Sequence, residues 1–164
     1  ALRRAGLPLV SLLGHGTGTV MSAALSSSFT LGRAMGTYAI TLLIFFAIDL
    51  VWLGVVAKNF YRQHIGHLMS PDVNWGAAVL FYAVYIGGIV LFAIKPAIEA
   101  GNASRALVYG AAFGFIAYAT YDLTNQATMR DWPVLVTDVD LAWGTVLTAT
   151  VAYLAYQVSS RVLG

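Results

Sequence analysis

The chain has 164 residues, 59% of them hydrophobic and only 10% charged. Soluble domains average about 25% charged residues, and the mean hydropathy here is +0.76, so a water-soluble globular domain is excluded. The net charge of +2 comes from 9 Lys+Arg against 7 Asp+Glu with no basic run, which excludes a nucleic-acid partner. There is no cysteine, which removes disulfide scaffolds, thiolate metal sites and Cys nucleophiles. The length suits one domain of about four membrane-spanning helices.

Residues 1–33 form an N-terminal extension unlike the rest. They are rich in Ser, Gly and Leu, hold Arg3, Arg4 and Arg33, and contain no acid. Pro8, Gly14, Gly16 and Gly18 interrupt the apolar stretch, so this arm is read as non-spanning. Arg and Ser without acids, in a chain beginning at Ala1, fit the mature end of an imported organelle protein. An incomplete N-terminus is the plainer alternative. Residues 34–164 are read as a transmembrane domain.

Four apolar runs follow, predicted as spans over about residues 37–57, 75–94, 106–124 and 134–156. Each holds about 20 residues, enough to cross ~30 Å of hydrocarbon as a helix. None alternates with period two, which argues against a β-barrel. Pro96 is expected to mark the end of the second helix. The links are short, so the prediction is an all-α, four-helix, up-down integral membrane bundle with an N-terminal extension. Arg3, Arg4, Arg33, Lys95, Arg105 and Arg161 fall on the side of the termini (side A), and Lys58, Arg62 and Arg130 on the other (side B). The positive-inside rule then puts both termini in the cytoplasm or matrix.

The first link, residues 58–74, contains His64 and His67 at i, i+3. They are weak metal candidates, with Asp72 as a third ligand, because Gly66 loosens the segment and no HExxH string is present. The favoured reading is an interfacial helix end with aromatic and basic anchors, Phe60, Tyr61, Trp75 and Trp132 forming a side-B belt. No metal or cofactor is expected, only bound phospholipid. No P-loop, GxSxG or strand-preceded GxGxxG occurs, so no soluble-enzyme chemistry is indicated.

The informative residues are intramembrane acids. Asp49 lies ~12 Å before the end of span one, and Asp140 lies ~9 Å into span four from the same side. Asp122 closes span three on side B too. Helical phase aligns Thr41, Phe45 and Asp49 at i+4, and likewise Asp140, Gly144 and Thr148. Gly110 and Gly114 form a GxxxG packing seam in span three, with Tyr118 between it and Asp122. Asp138, 200° from Asp140, points elsewhere. The acids are therefore expected to face the bundle interior, since each would cost ~2.5–3.5 kcal/mol toward lipid. The candidate site is a polar pocket open to side B, lined by Asp49, Trp52, Tyr118, Asp122, Asn125, Asp140 and Trp143, with Tyr121 nearby. A hydrogen-bonded knot that locks the helices in register fits the same pattern.

The strings Asp49-Leu50-Val51-Trp52-Leu53-Gly54, Gly66-His67-Leu68, Phe92 to Ala97 and Asp140 to Gly144 resemble one known family. So does the longer run Ala117 to Thr128, which contains Tyr121-Asp122-Leu123-Thr124-Asn125. The family comprises small membrane proteins catalogued as domain-of-unknown-function family 2177, and the resemblance covers roughly residues 36–158. It implies a four-helix inner-membrane protein with no assigned chemistry, and it points at Asp49, Trp52, Asp122, Asn125, Asp140 and Trp143 as the polar signature.

The leading functional expectation is a non-catalytic accessory subunit of a larger inner-membrane complex, helping assembly and lipid packing, with a mitochondrial respiratory complex as the expected host. Its partners would be lipids and other subunits. The alternative is a small transporter or membrane-embedded enzyme that uses the Asp cluster for proton coupling or lipid head-group handling.

Overall fold

A computed structural model of the protein describes residues 29–164. Residues 1–28, most of the N-terminal arm, lie outside the described residues. The described residues form helices α1 (Leu31–Val51), α2 (Lys58–Ile65), α3 (Trp75–Ile89), α4 (Lys95–Glu99), α5 (Ala103–Thr128) and α6 (Val134–Val162). They contain no strand. Four continuous rods are long and apolar enough to span a membrane: Leu31–Val56, Trp75–Glu99, Ala103–Thr128 and Val134–Val162.

The first span starts at Leu31 rather than near residue 37, because Thr30 caps it by accepting from the Arg33 amide. Helix α1 therefore begins before the expected boundary between residues 33 and 34. The rod ends in a π-turn, Trp52–Val56, closed by the Ala57 amide bonding to the Trp52 carbonyl. The chain then turns into the short helix α2 and a 3₁₀ turn, Gly66–Leu68.

Pro96 does not end the second span. A π-turn over Val90–Ile94 links α3 to α4 and carries the rod on to Glu99. Its i→i+5 bonding widens the backbone just before the proline, which lacks an N–H and crowds the carbonyl one turn back. Termination falls instead at Gly101, whose φ of +59° is the left-handed conformation glycine adopts freely. Asn102 then caps α5, its side-chain oxygen accepting from the Arg105 amide at 3.3 Å. The third and fourth spans also outrun their expected ends, to Thr128 and Val162.

The spans pack antiparallel, each against its neighbours in chain order, with the fourth closing onto the first. The tightest seam joins α5 and α6. A Cβ on Gly110 would lie 2.7 Å from the Ala152 Cβ and 2.8 Å from the Thr148 carbonyl oxygen. A Cβ on Gly114 would overlap the Gly144 carbonyl oxygen, and one on Gly144 would overlap the Tyr118 ring. Close backbone approach and the dispersion contacts it allows hold helices together where lipid removes the hydrophobic drive.

The apolar core includes Ile86, Ile89, Ala93, Ile94, Ala97, Ala106, Leu147, Val151, Ala152 and Ala155. Buried polar side chains occur at both depths: Thr37, Thr41 and Ser159 toward side A, and Asp49, Asp122, Thr137 and Asp140 toward side B. The buried acids all fall in the side-B half. Outward-facing Leu43, Val55, Val79, Leu80, Val108 and Ile116 are exposed and meet the bilayer.

Candidate functional site

The buried stripe of α1 is Thr37, Thr41, Phe45 and Asp49, one residue per turn. The stripe of α6 includes Asp140, Gly144 and Thr148, and that of α5 is Ala106, Gly110, Gly114 and Asp122. All three acids thus enter the bundle. Asp122 is 0% exposed, Asp49 5% and Asp140 8%. Asp138 is exposed on the opposite face of α6.

The acids form two centres. At the first, Asp49 Oδ2 accepts from the Tyr82 hydroxyl at 3.3 Å. The Trp143 indole N–H faces the same carboxyl without closing a hydrogen bond. At the second, Asp140 Oδ1 accepts a short hydrogen bond from the Tyr61 hydroxyl. Asp122 lies within hydrogen-bonding reach of Asp140, so the two carboxyls can share a proton, and no other side chain among the described residues donates to Asp122. Trp52 and Trp143 stack between the centres at 4.2 Å and 10°, and the Trp52 indole donates to Tyr61 at 3.4 Å. Tyr118 packs on Gly144 and edge-on to Tyr85, whose hydroxyl pairs with Thr148 Oγ1 at 2.7 Å.

The structure therefore brings together Asp49, Trp52, Tyr118, Asp122, Asp140 and Trp143. Asn125 is half-buried one turn beyond Tyr121 on α5, beside that residue's hydroxyl, at the rim rather than in the cluster. Trp132 is no belt residue. It is buried, donates to Thr137 Oγ1 at 3.1 Å and meets Tyr121 edge-on. Trp75, 73% exposed, keeps the interfacial position expected of it.

Tyr61, Tyr82 and Tyr85 were not among the expected site residues. Tyr82 and Tyr85 sit mid-span in an otherwise apolar helix, where a phenol needs a partner; that requirement is the signal that could have found them. Tyr61 had no such signal, since only the fold of α2 over the bundle end brings it to Asp140.

His64 Nδ1 pairs with the Phe60 carbonyl oxygen at 2.8 Å, and His67 falls in the exposed 3₁₀ turn. Among the described residues no three His, Cys, Asp or Glu side chains are placed to hold a metal ion.

Burial, then the hydrogen bond to Asp140, pushes the Tyr61 phenol well above its ordinary value. It stays a donor at neutral and mildly alkaline pH. A free phenol ionises near pH ~10, and the folded one does so higher. The stability Tyr61 supplies is therefore complete below about pH 10 and declines as pH rises beyond it. Tyr61→Phe is expected to flatten that alkaline decline in a thermal-melt series. An unchanged pH profile would separate Tyr61 from the carboxyl.

Between the second and third spans runs a cleft of about 350 Å³, lined by Phe81, Tyr85, Ala117, Tyr118, Tyr121 and Asp140. The third span packs most closely on the second along Val90–Glu99, and along α3 the two meet through the rings of Tyr85, Phe113 and Tyr118, which hold the backbones apart. A carboxyl in such a cleft, with a second acid behind it, can hold a polar or charged group, or pass a proton to its neighbour.

These features define a class: a small integral membrane protein of four spans with carboxyls, phenols and indoles clustered in one half of its bundle. The chain belongs to the DUF2177 family, described as predicted membrane proteins, whose pattern matches residues 34–157. Comparison with curated proteins and with solved structures gave no match.

Proposed function

We propose that this chain is a membrane-embedded binding protein whose working site is the Asp122–Asp140 pair, suited to holding a polar head group or exchanging a proton with it. The carrying observation is the pair itself: Asp122 and Asp140 are buried side by side, and no Lys or Arg among the described residues pairs with either. Two adjacent buried acids without a cation are costly unless they share a proton or receive a group of opposite charge. That requirement favours a ligand or proton site over a knot that only fixes helix register.

Dicyclohexylcarbodiimide, an apolar reagent that adds to carboxyl groups, tests this reading. Mass spectrometry should find Asp140 or Asp122 modified, while a water-soluble carbodiimide modifies the exposed acids Asp72, Glu99, Asp131 and Asp138 and spares the buried pair. Absence of label at both buried acids would sink the proposal.

The accessory-subunit reading draws on residues 1–33, most of which lie outside the described residues. Comigration of the chain with a large complex on a native gel would revive it. We place both termini on the cytoplasmic or matrix side, because Arg33, Lys95, Arg105 and Arg161 share the side-A ends of the spans. The chain has no cysteine, so single-Cys variants need no altered background. In sealed vesicles, Ser160→Cys is expected to label from the cytoplasmic or matrix face and Gln63→Cys from the other. The reverse pattern would invert the assignment.

A further inference from the structure

The geometry points to the Phe81–Tyr121 cleft as a lateral port through which a single-chain amphiphile with an alkylammonium head leaves the bilayer to place that head against Asp140, with Asp122 behind it. This rests on the reading of the Asp122–Asp140 pair as a binding site, and it names the route and the ligand class.

The depth of the mouth carries the route. Phe81 lies six residues into the second span, ~9 Å from its side-B end. Tyr121 lies seven residues before the end of α5, ~10 Å from the same side. Both are exposed. The mouth therefore opens at hydrocarbon depth, onto acyl chains rather than water. A ligand reaching Asp140 this way must itself dissolve in the bilayer.

The lining carries the ligand class. Phe81, Tyr85, Tyr118 and Tyr121 supply four aromatic rings, and Asp140 supplies a carboxyl at the inner end. Aromatic faces and carboxylates both attract cations, and rings around a quaternary ammonium are a recurrent mode of recognition. Among the described residues no Lys or Arg pairs with Asp49, Asp122 or Asp140; the ion pair formed there is Lys95–Glu99, on side A. Asp122, fully buried behind Asp140 and within hydrogen-bonding reach of it, adds a second acid that a cationic head would offset. A volume of about 350 Å³ suits such a head group with the first part of its chain, the remainder staying among the lipids.

The test uses the full chain in maltoside micelles and reads the rate of carbodiimide modification at Asp140 and Asp122. Dodecyltrimethylammonium, added as a small mole fraction of the micelle, should slow modification at least tenfold. Tetramethylammonium, the head without the chain, and dodecanol, the chain without the head, should each leave the rate within twofold. Ala117→Phe, which fills the cleft wall, should abolish protection by the cationic amphiphile and slow the apolar reagent itself. Protection by tetramethylammonium alone would overturn the lateral route while leaving the carboxyl site standing. Equal protection by dodecanol would overturn recognition of the cation. Modification that proceeds normally and that no compound slows would overturn this inference alone. Failure of the unprotected chain to react would overturn the site and the inference together.

Discussion

Asp122→Asn is expected to lose carbodiimide modification at position 122 and to shift thermal stability by no more than about 1 kcal/mol, whereas Asp140→Asn lowers stability by about 1 kcal/mol or more. The two acids are neighbours and almost equally buried, yet they differ in what removal takes away. Asp140 accepts from Tyr61, and Tyr61 also accepts from Trp52. An amide at 140 leaves Tyr61 a neutral acceptor in place of a carboxylate, a weaker hydrogen bond that loosens the attachment of α2 to the bundle. Asp122 meets only Asp140 among the described residues, and an amide at 122 can still donate to that carboxyl, so no bond is broken. A site kept for a ligand gives this asymmetry. If Asp122→Asn destabilised the fold as much as Asp140→Asn, the pair would be a structural knot. Denaturation of the purified variants, read by tryptophan fluorescence, makes the comparison directly.

Gly114→Val is expected to be the most disruptive single substitution in the helical interface. Its Cβ would enter the space of the Gly144 backbone carbonyl and lie 2.6 Å from Thr148 Oγ1. Backbone cannot rotate out of the way as a side-chain end can, so α5 and α6 must separate along their tightest seam. Overpacking of this kind usually costs about 1–3 kcal/mol, and more where backbone must move. The seam also sets the distance between Asp122 on α5 and Asp140 on α6, so modification of the acids should change together with stability. Gly54→Ala is the matched control, because a Cβ there meets nothing within 4 Å. A melting temperature for Gly114→Val within a degree or two of the control's would show that the seam is not a stability determinant.

The membrane class, the four spans and the inward phase of the acids were legible in the primary structure for one physical reason. Hydrocarbon imposes length and apolarity on each helix, and the 3.6-residue repeat then fixes which residues share a stripe. Thr41, Phe45 and Asp49 could be assigned to one face without coordinates, as could Asp140, Gly144 and Thr148, and Gly110 with Gly114. Helix ends were less legible. Pro96 would normally stop a helix, and only the preceding π-turn, which has no simple sequence marker, lets the second span continue to Glu99. Trp132 suits an interfacial belt by type and position, but the buried Thr137 hydroxyl one turn away on the same segment draws it inward.

Composition and periodicity by themselves determined that this protein lives in a membrane as a four-helix bundle and that three carboxyls lie within it. Those properties follow from local transfer energies and helical geometry, which each segment carries alone. Tertiary structure decided how the carboxyls are distributed: Asp49 with Tyr82, Asp140 with Tyr61, and Asp122 with Asp140 alone. It also decided that a cleft opens between the second and third spans onto Asp140. Both depend on crossing angles and on contacts between residues far apart in the chain, such as Tyr61 with Asp140 and Trp52 with Trp143, and no single segment encodes those.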